Sequence, residues 1–128
     1  MIAGADIFRY GNDWNGTFVL YDRNKLDAPR DPVFWQRREK ILVQEIRNVH
    51  LPLRVVACYD EQASIGLNTT NAIIARSGIK ESLLFVKAII SSVLVNEFFR
   101  SCFVDNHIAT QYLEAIPIRR IHFTTPAA

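Results

Sequence analysis

The sequence predicts an α+β (mixed α/β) fold: a small sheet of about four strands with two long helices. Three observations predict it. Short runs rich in β-branched and aromatic residues alternate with segments whose apolar residues recur at helical spacing. Two of those helical segments, one in the first half and one after residue 80, are long enough to cover a sheet. No repeat, low-complexity tract or linker interrupts the 128 residues, so one domain over 1–128 is expected.

The elements follow in order. Residues 4–10 make a short extended start. After the Gly11-Asn12-Asp13 turn, Thr17-Phe18-Val19-Leu20-Tyr21 predicts a strand, which leaves through the polar turn Asp22-Arg23-Asn24-Lys25. Asp31 then reads as an N-cap, with Pro32 at the first helical position. Over 33–49, Val33, Phe34, Ile41, Leu42, Ile46 and Val49 form one amphipathic stripe, with Arg37, Arg38, Lys40 and Arg47 mostly off it. Pro52 ends that helix. Leu53-Arg54-Val55-Val56-Ala57-Cys58-Tyr59 predicts the next strand, closed by Asp60-Glu61, and residues 66–75 a further one. Residues 81–101 predict one helix of about 20 residues with Ser77-Gly78 capping one end, apolar on most sides and so placed centrally or against a partner. An irregular stretch around Asp105-Asn106-His107 follows. Tyr112-Leu113-Glu114-Ala115-Ile116 is halted by Pro117, and residues 119–123 read as a last extended piece.

Composition narrows the function classes. An apolar fraction of 49% with 22% charged residues belongs to a folded chain. The first residues lack the basic start and long apolar run of a signal peptide. Lys80, Glu81 and Lys87 interrupt the longest apolar stretch, residues 79–95, so a buried helix explains it better than a membrane span. Cys58 and Cys102 are widely separated and read as reduced core residues of a cytoplasmic protein. The net charge of +2 is a weak pointer to nucleic acid. Between Arg23 and Arg54, however, eight basic residues face four acidic ones, a local charge of +4. On charge alone, a solvated helix face with i,i+4 pairs explains this window better than an anionic partner does.

Chemistry is sparse. His50, His107 and His122 stand at a helix end, in a loop and in a terminal strand, with no convergent nucleophile. Cysteine and histidine spacings offer no zinc site, and the five glycines form no phosphate-cradling loop. Asp22 and Asp60-Glu61 are separated rather than clustered as a magnesium nuclease requires. The expectation is a protein without catalysis, metal or cofactor.

Six short motifs stand in a familiar order. They are Gly4-Ala5-Asp6-Ile7-Phe8-Arg9-Tyr10; Tyr21-Asp22 with Leu26 and Pro29-Arg30; and Phe34 with Glu39-Lys40-Ile41-Leu42. Ala57-Cys58-Tyr59-Asp60-Glu61 with Asn68-Thr69-Thr70, the apolar helix after residue 80 and the Ile116-Pro117-Ile118 exit complete them. Each is weak alone, but together they cover nearly the whole chain. In this the sequence resembles the TaqI-like C-terminal specificity domain, the target-recognition domain of restriction–modification adenine-N6 DNA methyltransferases and type IIG (type II) restriction enzymes. Three features depart from the pattern. Ile90-Ser91-Ser92 replaces a common Leu-Asn-Ser, the loop between Arg100 and Tyr112 is short, and the Asn-Pro-Pro-Tyr methylation motif and cofactor loop are absent.

The resemblance implies a target-recognition-domain-like fold and sequence-specific binding of double-stranded DNA. It also implies a partner methyltransferase or endonuclease subunit that the domain directs. The chain would then be a separately encoded subunit or the remnant of a longer gene. Arg9, Arg23, Lys25, Arg30, Arg37, Arg38 and Lys40 are the candidates for phosphate contacts, and Asn68, Thr69, Thr70 and Asn71 for reading base edges. Each also has a structural reading: Lys40 or Arg9 as an ion-pair partner, the Asn-Thr-Thr run as an ordinary turn. The alternative class is a non-catalytic interaction protein, using the apolar helix 81–101 to form a homodimer.

Overall fold

The computed structural model describes residues 1–27, 29–79 and 81–119. The mixed α and β character expected from the sequence is present. A hairpin of β1 (Ile7–Phe8) and β2 (Gly11–Asn12) follows a single 3-10 turn at Gly4–Asp6. Helix α1 (Pro32–Gln36) precedes a three-stranded antiparallel sheet of β3 (Lys40–Gln44), β4 (Ala57–Asp60) and β5 (Thr70–Ile73), in the order β4-β3-β5. Helices α2 (Leu83–Ile90), α3 (Val93–Cys102) and α4 (Thr110–Glu114) complete it.

Strand β3 organises the molecule. It pairs with β4 through Leu42↔Cys58 and with β5 through Leu42↔Ala72, and all five of its residues are buried. Successive strand residues point to opposite faces, so Ile41 and Val43 enter one core and Leu42 another. The larger core joins Ile41, Val43, Val55 and Ala57 to Leu83, Ile90, Val95 and Phe99 of α2 and α3, with Ile108 and Ile116. The smaller one, on the opposite face, joins Leu42, Val56 and Cys58 to Ile2 and Ile7. The N-terminal segment is held there by Ile2 N–H donating to Ile65 O (2.8 Å) and Leu67 N–H donating to Ile2 O (2.9 Å). Gly4 lies so close to β5 that a Cβ would sit 2.5 Å from Thr69 O. An apolar face on each side explains why the middle strand carries Ile-Leu-Val without alternation.

Several expectations need correction. Residues 33–49 do not form one helix: α1 ends at Gln36, an exposed Arg37-Arg38-Glu39 turn follows, and Lys40–Gln44 is the central strand. The five-residue strand competes with helix because burial on both faces rewards β-branched residues whatever their periodicity. Residues 81–101 form two helices, not one. Ser82 caps α2 by accepting from Phe85 N–H (3.1 Å), in place of the expected Ser77-Gly78 cap, and Ser92 caps α3 by accepting from Val95 N–H (3.2 Å). Thr17-Phe18-Val19-Leu20-Tyr21 has no strand partner and no regular structure, with Phe18 and Leu20 exposed. The two later strands are shorter than expected, beginning at Ala57 and Thr70. Cys58 is buried as expected, but Cys102 is exposed at the end of α3. The extended piece over 119–123 and His122 lie, apart from an exposed Arg119, outside the described residues.

Candidate nucleic-acid interface

Five of the seven phosphate-contact candidates lie on the surface of the segment between residues 22 and 38. Arg23, Lys25, Arg30, Arg37 and Arg38 are all exposed. The local sequence holds them there. Asp31 caps α1 by accepting from Val33 N–H (2.9 Å), and Pro32 supplies the preset first turn. Tyr21 donates its hydroxyl to Arg30 O, which ties the preceding loop to the helix start. The Arg30 guanidinium lies 5.1 Å from the Phe34 ring centroid, and Phe34 meets Trp35 edge-on at 5.0 Å. Arg37 and Arg38 then project from the turn before β3. Lys25 is 3.8 Å from Asp22 in an exposed pair, which leaves it available to a stronger anion.

Lys40 does not belong with them. Its side chain is fully buried, 3.6 Å from the equally buried Asp60, and donates to Trp35 O (3.3 Å) and Arg37 O (3.1 Å). Burial outweighs the attraction of Asp60 and holds its ammonium below the usual lysine range. Asp60 in turn accepts from Ser64 Oγ (2.7 Å) and Ser64 N–H (2.9 Å), fixing the loop after β4. Lys40 is thus a structural ion-pair partner, because all its donors are consumed inside the fold. Arg47 and Arg54 are also inward-facing: Arg47 donates to Gln44 Oε1 (2.9 Å), and Arg54 to Arg47 O (2.8 Å) and Asp105 O (2.6 Å). The local charge of +4 is therefore only partly a surface charge.

The polar run expected to read bases divides in the same way. Asn68 is exposed. Thr69 Oγ1 accepts from Gly4 N–H (2.9 Å), and Thr70 Oγ1 donates to Leu67 O (2.6 Å). Asn71, buried in β5, donates to Ile108 O (2.7 Å) and accepts from Thr110 Oγ1 (3.3 Å). Thr69 holds the N-terminal segment, Thr70 closes the local turn at Leu67 and Asn71 holds the chain before α4, so Asn68 alone of the four presents its side chain outward.

Arg9 stands apart from the other cations, at the two-residue tip of the β1–β2 hairpin beside Tyr10. It donates to Ser91 O (3.2 Å), at the break between α2 and α3. Two residues there escaped the sequence reading. Tyr10 is 80% exposed. Lys87 of α2 places its ammonium 5.2 Å from the Tyr10 ring centroid. The Arg9-Tyr10 pair was visible as part of a motif, but only the fold brings Lys87 to it.

Among the described residues, no cluster of three His, Cys, Asp or Glu side chains could hold a metal ion. No helix among them is long and apolar enough to cross a membrane. The family model of the TaqI-like C-terminal specificity domain matches residues 1–118. No curated protein and no solved structure matches the chain.

Proposed function

Because the chain belongs to the TaqI-like C-terminal specificity domain family, we propose that it recognises a particular sequence in double-stranded DNA. In this reading it acts as a single, non-catalytic domain that directs a separate methyltransferase or endonuclease to that target. The family match over residues 1–118 is the observation that carries the reading. The exposed cations Arg23, Arg30, Arg37 and Arg38 support it, as groups able to fix register on phosphates, while the outward-facing Asn68 meets a base edge.

The test is selection of the purified chain on a random duplex library at two salt concentrations. Retention that falls as salt rises, with enrichment of one short motif, is the expected outcome. Absence of retention at low salt would overturn it.

A second reading has its own observation. Phe85, Ala88, Ile89, Leu94, Val95 and Phe98 line an apolar groove of about 610 Å³ between α2 and α3. Such a groove favours a protein contact, either the methyltransferase subunit or a second copy of the chain. Sedimentation of the chain alone and with a candidate subunit separates the two.

A further inference from the structure

A second cavity, of about 380 Å³, opens between the tip of the β1–β2 hairpin, the loop after β4 and the start of α2. Tyr10, Asn12, Tyr59, Glu61, Gln62 and Lys87 line it. The fold leaves Tyr10 80% exposed. The Lys87 ammonium lies 5.2 Å and the Arg9 guanidinium 5.6 Å from its centroid. Asp60, at the cavity wall, has its charge matched by Lys40, and the outward carboxylates near the two cations are Glu61 on the lining and Glu39 beside Tyr59. The Asn12 amide is steadied by a weak bond to Cys58 Sγ (3.8 Å), and its carbonyl oxygen has no partner among the described residues.

An exposed π-face flanked by positive charge, with amides beside it, matches a ligand that is both flat and anionic. We infer that this cavity is a nucleotide-contact site on the DNA. Tyr10 stacks on a base partly drawn out of the helix, Arg9 and Lys87 hold the adjoining phosphate, and Asn12 and Gln62 meet the base edge. The inference rests on the duplex-binding reading and adds a site separate from the cations of residues 22–38.

Fluorescence anisotropy of a labelled duplex retained from the library, titrated at several salt concentrations, tests it. Tyr10→Ala weakens binding about 10-fold, as loss of one base–aromatic stack requires, while Tyr10→Phe binds like the wild type. Lys87→Gln lowers the salt slope by about one phosphate contact. Circular dichroism melts establish that each variant is folded. As an independent measurement, the wild-type chain is photocrosslinked to the same duplex carrying 5-iodouracil, and an adduct is expected on the peptide containing Tyr10. A wild type that binds while Tyr10→Ala and Lys87→Gln bind equally well, with adducts only elsewhere, overturns this site and leaves the duplex reading intact. A wild type that binds no duplex overturns both.

Discussion

At the scale of single residues, a charge does different work according to what surrounds it. Lys40 and Asp60 form a fully buried pair, and removing one member leaves the other desolvated without its counter-charge. Lys40→Met is therefore expected to cost about 3 kcal/mol in urea denaturation, with duplex affinity per folded molecule unchanged. Lost affinity without lost stability would return Lys40 to the interface. The two thiols differ in the same way. Exposed Cys102 is expected to react with a thiol reagent in the native state, and Cys58 only on unfolding. Burial pushes the Cys58 thiol above its ordinary value of 9.0. A folded-state value above the unfolded one means that its contribution to stability is complete below about pH 9 and is lost as pH rises through the folded value. The stability difference between wild type and Cys58→Ala is thus expected to shrink above pH 9.

At the scale of elements, the break between α2 and α3 is the feature with the clearest chemical cause. Ser91 ends one helix and Ser92 starts the next, its hydroxyl competing with the backbone as serine does at helix starts. Four residues on, the Asn96 carbonyl oxygen accepts from both Arg54 N–H (2.6 Å) and Val55 N–H (2.8 Å), while its amide donates to Ser92 O (2.9 Å). One buried side chain therefore joins α3 to the chain entering β4. Ser92→Ala is expected to cost about 1 kcal/mol and Asn96→Ala about 3 kcal/mol in thermal or urea melts, since the latter strands two buried donors. The serine pair was visible in the sequence but lay inside an apolar pattern that read as continuous helix. The role of Asn96 was not visible, because its partners are some forty residues away. The start of α1 was fully legible, because Asp31 and Pro32 act on their own neighbours.

At the scale of the whole molecule, the cations that enter the duplex reading are those of residues 22–38 and the Arg9–Lys87 pair around Tyr10. On the duplex reading, Arg30→Ala and Arg37→Ala each weaken binding across all sequences and lower its salt slope by about one. Anisotropy titrations over a range of salt check this, and unchanged binding at low salt in both would remove them from the interface. Of the candidate site, the exposure of Arg23 and Lys25 was legible from their polar turn and that of Arg37 and Arg38 from their place off the apolar stripe, although the latter two leave a turn rather than a helix. The buried fates of Lys40 and Asn71 were not, since they depend on the Asp60 carboxylate and the Ile108 carbonyl, both far along the chain.

By itself the sequence determined the mixed α and β character, the cap at Asp31, the burial of Cys58 and, through ordered motifs, the family. These depend on local propensity and on residue identity, which any stretch of chain carries with it. Tertiary structure decided that residues 40–44 are the central strand, because only two opposing cores can bury Ile41, Leu42 and Val43 on both faces. It likewise decided which cations face water and that Lys87 meets Tyr10. Such outcomes depend on desolvation and on contacts between residues far apart in the chain, which no local pattern encodes.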